Sequence, residues 1–143
     1  MSAETEANRN LIAKLNDALA WELRAMALYA HYAAYVQGIY RLHLKPHFEA
    51  EATESMTHSN TVRNAIVKLG GEAITQRDQT EIKHTTDFKV MLDEAMATET
   101  QAAATYKEIL GMPGLDSELD DAIEQIYFAE ARAVEELHQL MPG

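Results

Sequence analysis

Apolar residues return along this chain at steps of three and four, the period of helices buried on one face. The row Leu15, Leu19, Glu22, Met26, Tyr29, Ala33 and Val36 predicts a first helix from about Asn8 to Gln37, ended at Gly38. Ile39 to Lys45 reads as a link, with Pro46 in the first turn of the next helix. The second row runs through Phe48, Glu51, Ser55, His58, Val62, Ile66 and Leu69, and Gly70-Gly71 closes it in the usual C-terminal glycine position. From Glu72 to Thr86 there is no clear period, and Thr, Gln and Asp are frequent, which predicts a long connection. Leu92, Ala95, Glu99, Ala103, Tyr106 and Leu110 predict a third helix from Asp87 to Leu110. After a turn at Gly111 to Gly114, Ser117 with Asp120 resembles a capping box. A fourth helix follows on Leu119, Ile123, Ile126, Glu130, Ala133, Leu137 and Leu140, and Pro142-Gly143 ends the chain.

Four long periodic segments and no strand pattern predict an all-α fold, an antiparallel four-helix bundle. The long stretch between helices two and three permits a crossover. A length of 143 residues fits one domain, 1–143, large enough to bury a real core. The net charge of −11 repels nucleic acid and anionic membrane and attracts cations. The chain has no cysteine, which removes disulfides and thiolate metal sites and fits a cytoplasmic protein. The polar N-terminus MSAETEANRN has no signal-peptide core, and no apolar stretch is long enough to span a membrane.

Each predicted stripe carries one ionisable residue near its middle: Glu22, His58, Glu99 and Glu130. None of the stripes contains Lys or Arg. Three carboxylates meeting in a dry bundle cost several kcal/mol each unless they stay protonated or share a cation. Carboxylates with an imidazole suit iron, manganese or zinc. The alternative is a set of residues on stripe edges reaching solvent, or a hydrogen-bonded core network. Four at matched depth in four helices favour a metal.

Whole-helix spacing also resembles the ferritin-like superfamily, most closely bacterioferritin. Glu22-Leu23 with Tyr29, Met56-Thr57-His58 followed by Leu69-Gly70-Gly71, Met91-Leu92 before Glu99, and Glu130 with Leu137 carry the similarity. The resemblance implies a ferritin-like crossover bundle and a two-iron centre. It also implies Glu-x-x-His on helices two and four, where this chain reads Ser55-x-x-His58 and Glu130-x-x-Ala133. One iron would then keep Glu22, His58 and Glu130, and the other only Glu99 and Glu130, so the centre is mono- or dinuclear. Glu54 is a candidate replacement ligand. It lies about 40° from His58 on the helical wheel, on the side opposite Ser55 at about 60°, so a rotation of helix two would bring it inward. Met56 matches the position at which bacterioferritin binds haem across a two-fold axis, although packing is the commoner use of methionine.

The resemblance implies iron storage and detoxification: Fe(II) oxidised by O₂ or peroxide at Glu22, His58, Glu99 and Glu130, with ferric mineral kept in a homo-oligomeric shell. No counterpart of bacterioferritin's short fifth helix follows Leu140, which sets a dimer or a 12-subunit shell beside the 24-subunit cage. A subunit with a degenerate site and a structural or haem-carrying role is the alternative. A Dps-type mini-ferritin ranks third, because the acidic charge disfavours DNA.

Overall fold

Four helices make up the computed structural model, which describes residues 3–141: α1 Ala3–Tyr35, α2 Arg41–Lys68, α3 Phe88–Leu110 and α4 Ser117–Leu140. There is no strand among the described residues, and the predicted Pro142-Gly143 terminus lies outside them. Short links join α1 to α2 and α3 to α4, so each pair runs antiparallel, and α1 also packs along α3. Residues 69–87 form the crossover.

Three boundaries differ from the sequence expectation. Helix α2 begins at Arg41, so Ile39 to Lys45 is mostly helix and Pro46 sits inside it rather than in its first turn. An internal proline costs about 3 kcal/mol. Burial of Leu44 and Phe48 on either side of it supplies about 1.5–3 kcal/mol each and holds the turn. Helix α4 is capped by Asp116, whose side chain accepts from the Leu119 N–H, so Ser117 is already the first helical residue and the expected Ser117–Asp120 box does not form. Helix α1 starts at Ala3, ahead of Asn8.

The end of α2 follows the glycine rule closely. Gly70 has φ +84°, Gly71 N–H reaches the Ile66 carbonyl at 2.9 Å and Gly70 N–H the Val67 carbonyl at 3.0 Å, which is a Schellman ending. A Cβ on Gly71 would stand 2.7 Å from Ile12, so the glycine also lets the crossover start close against α1.

The crossover is strapped down the length of α1. Asn16 bonds the Glu72 carbonyl and the Ile74 N–H, and the Ala20 carbonyl accepts from Asp78 N–H. Arg24 donates to the carbonyls of Thr80 and Glu81 and to Thr98 Oγ1 on α3, while its guanidinium lies 5.3 Å from the Trp21 ring. Tyr32 donates to the Lys83 carbonyl, and His31 meets His84 at 2.9 Å. Arg24 is only 3% exposed, and burial pulls its pKa down. Its charge is nevertheless retained, because a guanidinium stays protonated in proteins.

The apolar core falls into two clusters. One gathers Leu28, Tyr29, Tyr32, Phe48, Met91 and Leu92, and the other Leu15, Leu19, Val62, Ile66, Tyr106 and Ile123. Arg24→Met should destabilise the protein by about 2–4 kcal/mol, because it strips hydrogen bonds from buried partners. It should also expose the crossover to protease well before global unfolding. Denaturant melts and limited proteolysis check this, and a neutral substitution would show that the straps at Asn16 and Tyr32 suffice.

Candidate metal centre

Between the two apolar clusters lies a polar layer, with one residue from each helix. Glu22 of α1, Glu99 of α3 and Glu130 of α4 are 1%, 3% and 3% exposed. The His58 side chain of α2 is 12% exposed. Their helices put them there because each occupies the polar gap in an otherwise apolar stripe.

His58 Nδ1 lies 3.1 Å from Glu22 Oε2 and 3.0 Å from Glu130 Oε1. One ring N–H thus serves two carboxylates. Tyr106 donates to Glu22 Oε2 at 2.7 Å, which leaves Glu22 Oε1 buried with no hydrogen-bond partner. One ligand atom from each of Glu22, His58 and Glu130 fits within a mutual spacing of 4.8 Å. Two carboxylates and an imidazole at that spacing, with an orphaned acidic oxygen among them, fit a divalent cation. Glu99 lies alongside, next to Glu130 and the buried hydroxyl of Tyr29.

The other expected site residues take peripheral positions. Glu54 is 46% exposed, with Oε1 3.5 Å from His58 Nε2, so it meets the imidazole from its outer side. A carboxylate on the far nitrogen fixes the orientation of a ligating histidine. Ser55 is buried at 4%, so α2 keeps the register set by its apolar stripe and does not turn Glu54 into the core. Ala133 offers no donor. Met56 is 50% exposed, about 200° around α2 from His58.

Electrostatics agree with a site built for positive charge. Burial pushes the Glu130 carboxyl up, and the Glu22 charge adds to this, to about 7. Burial and then Glu130 hold Glu99 well above the carboxylate range. For His58 burial pushes down, but the hydrogen bonds and charges of Glu130 and Glu22 outweigh it and raise the imidazole to about 10.

The family model of the ferritin-like domain matches residues 12–142. The chain belongs to the ferritin-like family. Among curated proteins none matches significantly. A ferritin-like diiron-carboxylate protein of Bacillus anthracis str. Ames is 32% identical, with TM-score 0.89 over 99% of this chain and 100% of that one. The dodecameric thioferritin of Bacteroides fragilis, a bacterioferritin-related protein, is 25% identical over 92% of this chain and 84% of that one, with TM-score 0.85. Desulfovibrio desulfuricans bacterioferritin shares the fold at 21% identity, with TM-score 0.83 over 98% and 82% of the two chains. The similarity to bacterioferritin anticipated from helix spacing therefore holds for the family and for the fold.

One residue of this ferritin-like centre escaped the sequence pattern in the role it takes here: Tyr106 appeared only as an apolar stripe member. The signal for Tyr106 was its place one helical repeat, seven residues, after Glu99, in the same stripe.

The raised pKa values fix the sign of a pH effect. The Glu130 proton stabilises the fold fully below about pH 4.5, and this is lost as pH rises through about 7. The His58 proton does so fully below about 6.5, and this is lost through about 10. Both act in one direction, so the Tm of chelator-treated protein should fall from pH 6 to pH 9, and Glu130→Gln should flatten the fall. Calorimetry across that range tests it; a Tm that rises would contradict protons held in this layer.

Proposed function

We propose that this ferritin-like protein takes up Fe(II) at Glu22, His58 and Glu130, with Glu99 beside them, and oxidises it for storage. The observation that carries the proposal is the buried trio with its unpartnered Glu22 oxygen. Tyr106 holds one oxygen of Glu22, so the other is left for a cation. His58 Nδ1 must release its proton before it ligates, which couples uptake to proton release. Iron supplies the electrons: two Fe(II) ions give up one each, and O₂ takes both with two protons to leave hydrogen peroxide.

A cleft of about 470 Å³ between α2 and α4 reaches His58, lined by Thr57, Thr61, Gln125, Phe128 and Arg132. It offers a route for a small cation or oxidant to the imidazole edge. Glu54, at the outer nitrogen of His58, supports uptake by attracting cations to that edge. Storage requires a shell, and the dodecameric relative supports a homo-oligomer. Ser55 and Ala133 favour the alternative, a subunit that assembles without oxidising iron, with half-exposed Met56 available for packing or haem. A Dps-type role is disfavoured by the charge of −11.

Anaerobic Fe(II) titration of metal-free protein, followed by oxygen, separates these functions. Tight binding, proton release and rapid oxidation are expected, with Glu22→Ala weakening binding at the trio at least about 10-fold. No tight binding, unchanged in Glu22→Ala, would sink iron oxidation in favour of the assembly role.

A further inference from the structure

Away from the mid-bundle layer, two imidazoles meet at the seam between α1 and the crossover. His31 Nε2 lies 2.9 Å from His84 Nδ1. The rings stand nearly edge to face, with centroids 5.1 Å apart and planes at 71°. Tyr35 walls one side, its ring centroid 4.6 Å from that of each histidine. His31 is partly buried and His84 is exposed, so water reaches the pair. Both backbones are held. His31 precedes the buried Tyr32 in α1, and the Tyr32 hydroxyl donates to the carbonyl of Lys83, next to His84. Three residues before His84, Arg24 holds the Glu81 carbonyl. The straps that fix the crossover therefore also deliver the two rings to each other, and a rigid backbone is what keeps ligand atoms at a set spacing.

In the neutral pair one N–H fills the gap, donated by one ring to the lone pair of the other. The gap is also that of two ligands side by side on one metal ion. Metal–nitrogen bonds of about 2.0–2.1 Å, at angles from square to tetrahedral, place the two nitrogens about 2.8–3.4 Å apart. Moving the shared proton to the outer nitrogen of its own ring turns both inner lone pairs toward the gap, and the neutral pair then loses no proton on binding. Among the described residues no further histidine or carboxylate joins the pair in a three-ligand group. The donors are thus imidazole nitrogens alone, in contrast to the carboxylate-rich trio.

We propose that His31 and His84 form a surface site for a nitrogen-preferring divalent cation, Zn(II) or Cu(II), with water in the remaining coordination positions. Nitrogen donors without carboxylate rank these ions above Fe(II) and Mn(II). The site therefore sorts metals differently from the trio and does not depend on iron uptake there. Its position has a structural effect. One ligand belongs to α1 and the other to the crossover, so a bound ion clamps the two together and stabilises the closed seam by mass action.

The test is a Zn(II) titration of the metal-free full chain by calorimetry, in the wild type and in Glu22→Ala, where the trio no longer masks the pair. Circular dichroism confirms that each variant is folded. A zinc site is expected in both proteins, weakened at least about 10-fold by His31→Ala and by His84→Ala. His43→Ala, which removes another exposed histidine, should leave it unchanged. In the wild type the imidazole NMR signals of His31 and His84 should shift together as this site fills, and protease should cut the crossover more slowly. Zinc binding unmoved by either His31→Ala or His84→Ala, or ring signals that stay in place at saturation, overturns the site and leaves the pair as a hydrogen bond. Fe(II) binding at the trio is read in its own titration, so failure of one site is distinguishable from failure of the other.

Discussion

Three carboxylates and one imidazole buried in mid-bundle set the terms for everything else in this structure. Glu22, Glu99 and Glu130 are almost wholly excluded from water, and among these four layer residues only His58 carries positive charge. Burying uncompensated charge costs far more than any single hydrogen bond returns. The chain meets that cost in two ways. Apolar burial is concentrated in a cluster on each side of the layer. Within the layer, protons are favoured where a cation would otherwise stand, on His58 and on the raised carboxyls of Glu99 and Glu130. Stability and metal affinity are therefore opposed through the same atoms, since whatever binds there must displace what now neutralises the layer.

The crossover solves a second problem. Residues 69–87 run as a structureless segment within a compact bundle and carry backbone groups that need partners. Helix α1 supplies many of them, through Asn16, Ala20, Arg24 and Tyr32. Arg24 does the most, because it also reaches Thr98 on α3 and so joins three elements with one buried guanidinium.

How much of this was legible in the sequence depended on whether a feature is local or relational. Periodicity of 3.6 residues is local, and it exposed four helices and the ionisable residue near the middle of each stripe. Gly70-Gly71 announced the end of α2 for the same reason. Pro46 misled because the rule that places proline in the first turn weighs the backbone alone, whereas Leu44 and Phe48 are anchored by partners elsewhere in the chain. Asp116 and Ser117 are both good caps, and only the actual hydrogen bond to Leu119 decides between them. Arg24 carried no sequence signal of its role, because its partners lie 56 and 57 residues away. At Glu54 the rotation that would have turned it inward does not occur: Ser55 stays buried in the register of the apolar stripe, and Glu54 meets His58 from outside.

The straps that hold the crossover have a further consequence. Arg24 and Tyr32 grip the carbonyls of Thr80, Glu81 and Lys83, not their side chains. The backbone path is fixed from below, while of the outward side chains Thr80 reaches only neighbouring Asp78 and Lys83 only Glu94. Thr80, Glu81 and Lys83 are exposed. This strip is therefore a writable surface: residue identity there can drift, or be chosen for a label or an attachment point, without disturbing the bundle beneath.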